Sequence, residues 1–291
     1  MLDRHRPEIA APFEFGAIGD QQYGADGERR WPALQQNING SGVSFVVHAG
    51  DVKSGSTVCS NEMFADRVQA FNGFEMPMIL TPGDNEWTDC HRENNGSYDS
   101  LERLAFLQSE DPRYANYVEN ALWSQGNVLF ATLHAVGSNN NLGRNAENDR
   151  EYEERNRANF NWLKTVFSVA RDNDFGGVVL VMQANPGFAA TRVRVAQLEP
   201  GFRDLFTYLE DETIVFQRPV LLIYGDSHEF NISKPLLGTR SGRVIDNFLR
   251  LEVPGSADVH WVRVRVNPAK PSLFSFEHED IPAHRPAQQR P

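Results

Sequence analysis

The chain has 291 residues, 40% of them hydrophobic, and carries 39 acidic against 28 basic side chains for a formal net charge of −11. This is enough apolar material for one large core, read as a single domain over residues 1–281, and the acidity disfavours a nucleic-acid scaffold or an anionic membrane surface as partner. No run of about 18 apolar residues exists to span a membrane, and residues 1–15 lack a secretory h-region, so the expected compartment is the cytoplasm unless a leader has been removed.

In chain order the pattern predicts a strand over 13–19, a helix over 30–39, a strand over 43–50, and a helix over 61–73 with Phe64, Val68 and Phe71 at helical spacing. A strand over 77–82 leads into a long polar insertion, 86–112, with a helix over 99–108 capped by Ser97 or Asp99. A strand over 127–137 ends in the polar run Ser138 to Asn141. A charged helix over 149–172 follows, with Phe160, Leu163, Val166 and Phe167 turned inward. Then come a strand over 177–183, a helix over 198–211 and a strand ending at Tyr224. This alternation is the signature of the α/β class. Segments 230–234, 247–253, 259–266 and 273–277 read as antiparallel strands closing a second sheet. Residues 282–291, rich in Pro and Gln, read as a disordered tail.

Four apolar runs stop at the same dipeptide, Gly-Asp, placing Asp20, Asp51, Asp84 and Asp226 at the carboxyl ends of buried strands. That is the edge where open α/β sheets hold their ligands. Two carboxylates about 4 Å apart repel by roughly 4 kcal/mol at an effective dielectric of about 20, so such a cluster calls for cations or shared protons. Gln22 follows Asp20 on the same face of an extended segment, and His228 follows Asp226 likewise. Gln183 ends another apolar strand. Taken one at a time, each acid is more simply a turn-stabilising residue; four in parallel favour a metal site.

The loop after Asp51 brings Lys53, and the loop after Asp84 brings Asn85, Glu86, His91 and Arg92. His48, inside its apolar run, reads as a hydrogen-bonded core histidine. Cys59 and Cys90 each follow one of these Gly-Asp motifs. If the two loops are neighbours the thiols can form a disulfide, which would favour a periplasmic or secreted protein; two unpaired thiols are the equal alternative.

The order of these motifs resembles the calcineurin-like metallophosphoesterases, whose signature runs D-x-H, G-D, G-N-H-[DE], a strand-end H, and G-H-x-H. The resemblance runs from Phe13 to His228, and the GDNE and GDSH spellings are similar to a divergent bacterial branch. It implies a four-layer α/β/β/α sandwich of two mixed sheets. It also implies a two-metal hydrolase of phosphate esters, with Asp20, Gln22, Asp51 and His228 around one ion and Asp51, Asp84, Gln183 and Asp226 around the other. Asp51 would bridge, and a metal-bound hydroxide would attack phosphorus.

Of five signature histidines only His228 is kept; Gln22, Asn85, Gln183 and Asp226 replace the rest. Amide and carboxylate oxygens make the site harder, favouring Mg, Mn or Ca, with Fe or Zn still compatible. Because Asn85 cannot release a proton at neutral pH, His91 is the candidate leaving-group acid. Lys53, Arg92, Asn139 and Asn140 are the candidate contacts to a phosphorylated small molecule. The competing reading is a catalytically degenerate fold that binds a metal or phospholigand. A Gly-Asp-Ser esterase is disfavoured by the late position of Ser227, and an aspartyl-phosphate phosphatase by the absence of D-x-D at Asp20. Oligomeric state leaves no mark in the sequence.

Overall fold

A computed structural model describes residues 10–90, 106–189 and 191–281. The Gly-Asp strands β1 (Phe13–Ile18), β2 (Val46–His48) and β3 (Met78–Leu80) pair in parallel in one sheet. Two late strands, β11 (Trp261–Val266) and β12 (Phe274–Glu279), extend it antiparallel beyond β1. The second sheet runs β4 (Phe106–Leu107), β5 (Ala121–Gln125), β6 (Val128–Thr132), β7 (Gly177–Val181), β8 (Val220–Tyr224), β10 (Phe248–Glu252) and β9 (Asn231–Ser233).

Two sheets facing each other bury an inner layer that includes Phe15, Val47, Phe130, Val181, Ile223 and Val264. On the outer face of the first sheet lie α1 (Gly24–Asn39) and α2 (Asn61–Phe71), sealing Trp31, Leu34 and Phe71. Helices α3 (Ala146–Asp172) and α4 (Pro200–Phe216) cover the second through Leu163, Val166, Phe202 and Phe206. The result is the four-layer α/β/β/α sandwich of two mixed sheets. Strands buried on both faces read as continuous apolar runs, which is why 177–181 and 220–224 were so plain in the sequence. No helix among the described residues is long and apolar enough to cross a membrane.

Several local expectations are corrected. The late strands are largely antiparallel as expected but divide between the sheets: β9 and β10 close the second, where β10 pairs antiparallel with β9 and in parallel with β8, and β11 and β12 join the first. Phe106 and Leu107 pair with β5 instead of ending a helix; the rest of that predicted helix, with Ser97 and Asp99, lies outside the described residues, as does the tail. Helix α1 starts at Gly24 and tolerates Pro32 within it, because Trp31, Leu34 and Ile38 give it a buried stripe. Phe160 is 39% exposed and packs on Tyr208 of α4. His48 is fully buried against Phe71, yet neither ring nitrogen has a hydrogen-bond partner among the described residues, and burial pulls it down to about 3.

Candidate metal centre

The first sheet delivers Asp20, Asp51 and Asp84 just past the ends of β1, β2 and β3, and β8 of the second sheet delivers Asp226. Asp20, Asp51 and Asp226 adopt positive φ angles of 50°, 57° and 78°. Such a backbone is costly for a non-glycine residue and is held only where the surroundings fix it. Three of these acids are tied by main-chain donors. Both Asp20 oxygens accept from the Asp226 N–H, at 3.1 and 3.0 Å, Asp51 Oδ1 accepts from Asn85 N at 3.0 Å, and Asp226 Oδ2 accepts from Asn185 N at 2.9 Å.

Small residues permit this closeness. A Cβ on Gly225 would fall 2.0 Å from Asp20 Oδ2, and one on Gly83 2.0 Å from Asp51 Oδ1. One on Gly137 would meet both Asp84 Oδ1 at 2.8 Å and Asp226 Oδ1 at 3.0 Å, so these two carboxylates from different sheets face the same small space.

Gln183 sits at the centre. Its Nε2 donates to Asp51 Oδ2 at 3.1 Å and its Oε1 accepts from Gly137 N at 2.6 Å. Glu86 is fully engaged from behind, taking the N–H groups of Asp51 and Gly83 on Oε1 and of Val52 on Oε2. It thus staples the two Gly-Asp loops together, and the Cys59–Cys90 disulfide, with Cα atoms 5.6 Å apart, fastens the same loops a second time.

The electrostatics are those of crowded acids. Burial, then the charge of Asp226, holds Asp20 well above the ordinary carboxyl range; burial and the charge of Glu86 do the same to Asp51. Burial lifts Glu86 to about 7 and Asp226 to about 6.

Other predicted residues are placed differently. Gln22 Oε1 accepts from Arg67 Nη1 at 2.7 Å, within a buried guanidinium network that also takes the carbonyls of Gln22 and Val52. His228 donates from Nδ1 to Ser256 O at 2.6 Å, leaving Nε2 3.6 Å from Asp20 Oδ1. Asn85 spends its amide hydrogens on the Tyr23 hydroxyl and Lys53 O, both at 2.9 Å. Lys53 is 1% exposed and donates to Thr57 O at 2.9 Å and Ser54 O at 3.3 Å. Asn139 and Asn140 belong to a left-handed turn, Ser138 to Asn141, and hold the N-terminus of α4 through Gly201. His91 and Arg92 lie outside the described residues.

Sequence reasoning missed Arg67, which no motif marks, and Tyr23, whose place directly after Gln22 was a usable signal. It also missed the staple role of Glu86.

A sequence profile of the calcineurin-like phosphoesterases matches residues 13–230. The chain belongs to that family. Among solved structures this phosphoesterase is similar to a dimetal phosphatase from Danio rerio, at 13% identity over 92% of this chain and 93% of that one, TM-score 0.53. It is also similar to GAP50, the anchor in the inner membrane complex of Plasmodium, at 12% identity over 93% and 89%, TM-score 0.52, and to PhoD, at 12% identity over 92% and 68%, TM-score 0.56. At such identities these likenesses show the fold. No curated protein matches the sequence.

Family membership carries phosphoester chemistry and divalent-metal use in general terms, and the residues present fit a hard cation by their chemistry. They supply buried carboxyl groups, held above their ordinary range by burial and then by mutual repulsion, around a gap bounded by Gly137. Among the described residues no three His, Cys, Asp or Glu side chains already stand as a ligand cluster. The amide of Gln183 and main-chain N–H groups hold the lone pairs that a cation would take.

Proposed function

We propose that this phosphoesterase hydrolyses the phosphate ester of a small molecule with one or two divalent ions, Mg, Mn or Ca before Fe or Zn. The observation that supports this most is the meeting of Asp20, Asp51, Asp84 and Asp226 from two sheets around Gln183 and Gly137, with several of their carboxyls driven upward by burial and mutual repulsion. Asp20, Asp51, Asp84, Asp226 and His228 would hold the ions, with Gln183 contributing its oxygen only by giving up Gly137 N. Bound divalent ions supply Lewis-acid activation of water and neutralise phosphoryl oxygens. Glu86 keeps the Asp51 and Asp84 loops at fixed separation, and His91 is assigned leaving-group protonation, with Arg92 as phosphate clamp. Gln22 supports the site through Arg67 instead of ligating. The GDNE and GDSH spellings support assignment to a divergent bacterial branch of the family, and the Cys59–Cys90 bond favours an oxidising compartment.

Release of p-nitrophenol from mono- and diester substrates, with each divalent ion in turn, tests this reading. Turnover that needs an ion and falls by roughly a hundredfold or more in Asp51→Ala supports it. A second reading, a degenerate module that binds a metal or phospholigand without turnover, is favoured by one observation: Asn85, in the position of the signature's G-N-H histidine, has both amide hydrogens committed. Ion binding without hydrolysis of either ester class selects it.

A further inference from the structure

Beside the acidic rim the protein carries a patch of opposite sign. Residues 187–198 and 230–245 contain no Asp or Glu, yet include Arg192, Arg194, Lys234, Arg240 and Arg243 in a chain of net charge −11. The fold zips these segments together: Val193 N donates to Pro235 O at 2.8 Å, Leu237 N to Val193 O at 2.9 Å, and Arg192 Nε to Lys234 O at 3.4 Å. Between them opens a cavity of about 490 Å³ lined by Thr191, Arg192, Ser233, Lys234 and Leu237.

Three features make it an anion site. Arg192, Arg194 and Arg243 are exposed, and none has a carboxylate partner among the described residues, whereas Lys234 is paired with Asp246 and Arg240 with Asp211. Next to the lining residue Ser233, Arg250 is 2% exposed; it donates from Nε to Ser233 Oγ at 2.7 Å, from Nη1 to the Tyr224 hydroxyl at 2.8 Å and from Nη2 to Ala189 O at 3.3 Å. The Tyr224 hydroxyl in turn donates to Glu252 Oε2 at 3.1 Å, so this carboxylate is engaged within the network and does not line the cavity. Because Ser233 Oγ accepts from Arg250, its own hydrogen remains available to donate to a ligand.

The cavity is also within reach of the rim. Ala189 follows Asn185, a donor to Asp226, by four residues, and Ser233 follows His228 by five. Five extended residues span at most about 18 Å.

The geometry points to a second phosphate-binding site in the Arg192–Ser233–Lys234 cavity, holding the distal phosphoryl group of a bisphosphorylated substrate. The inference rests on the phosphoesterase reading for the other end of that substrate, but its binding test does not. Inorganic phosphate and pyrophosphate are titrated calorimetrically into the full chain in EDTA, where no divalent ion can recruit them to the rim. Both bind the wild type, and the R192E/K234E and milder R192Q/K234Q variants, checked for native melting, bind at least about tenfold more weakly, the loss of one charge-assisted hydrogen bond. Affinity that is unchanged in both variants, or that appears only when a divalent ion is added, overturns the assignment. In an active enzyme, the ratio of kcat/KM on a bisphosphate to that on p-nitrophenyl phosphate falls by about tenfold in R192Q/K234Q. An unchanged ratio also overturns it, whereas absence of turnover in the wild type would refute the hydrolase reading and leave the binding result standing.

Discussion

Metal-free protein should become less stable as pH rises through the range where most proteins are at their best. Asp226 lies near 6 and Glu86 near 7 in the folded chain, against 3.8 and 4.5 as ordinary values, with burial the main cause in each; Asp20 and Asp51 are displaced in the same direction. A carboxyl whose folded pKa exceeds its unfolded value binds more protons in the native state between the two, so its contribution is intact below about pH 4 and is lost as pH climbs toward 7. At 1.36 kcal/mol per pH unit the rise at Asp226 alone corresponds to roughly 3 kcal/mol. For a chain of this size that is a fall in Tm of about 5 °C over the whole window, roughly half of it between pH 5 and pH 7.5. The assay is thermal melting in EDTA at pH 5 and pH 7.5, for the wild type and for Asp226→Asn, which removes the titrating group. The wild type melts lower at pH 7.5, the variant shows a smaller difference, and Mg or Mn restores the wild type at pH 7.5 because an ion at about 100 times its Kd adds roughly 2.7 kcal/mol. A Tm in EDTA that holds or rises from pH 5 to 7.5, together with no response to any divalent ion, would refute the picture of crowded acids awaiting cations.

Two structural ties admit simpler tests. Closing a loop between Cys59 and Cys90, 31 residues apart, removes about 3–4 kcal/mol of unfolded-chain entropy, so the C59S/C90S variant should lower the urea midpoint, and treatment of the wild type with reductant should match it. Equal midpoints would show that the bond contributes nothing. Arg67→Met strips donors from the Gln22 amide oxygen and from the carbonyls of Gln22 and Val52; a loss of about 3 kcal/mol is expected, and Arg67→Lys, lacking the planar fork, recovers little of it. Recovery of full stability by lysine would mean that charge alone matters there.

What the sequence made legible follows from what is local. Strands such as 177–181 and 220–224 announce themselves because both faces are buried, and the acids at 20, 51, 84 and 226 are visible because each sits at a fixed offset from such a run. The partition of the late strands was hidden, since β10 and β11 have similar alternating patterns and only tertiary packing sends one beside β8 and the other beside β1. The roles of amides were hidden for the same reason. Nothing within the 137–141 segment shows that Asn139 and Asn140 face Gly201 sixty residues away, or that Arg67 on α2 reaches Gln22.

The amides that stand where the family signature has histidine are not loose ends. Gln183 bridges Gly137 N and Asp51, Gln22 anchors the Arg67 guanidinium, and Asn85 ties Tyr23 to the Lys53 carbonyl. A site losing its ligands by drift would leave buried acids unpartnered, at a cost of about 1–3 kcal/mol or more for each. Here the donors that replace a cation are main-chain N–H groups and one amide, which neutralise only partial charge and leave Asp20, Asp51 and Asp226 displaced upward. Hydrogen bonds of this kind hold the acids in place without satisfying them. Burial and residual repulsion together are the reserve that a divalent ion would release on binding, and their size sets how strongly a mostly oxygen site that keeps only His228 of the signature histidines can still compete for the ion.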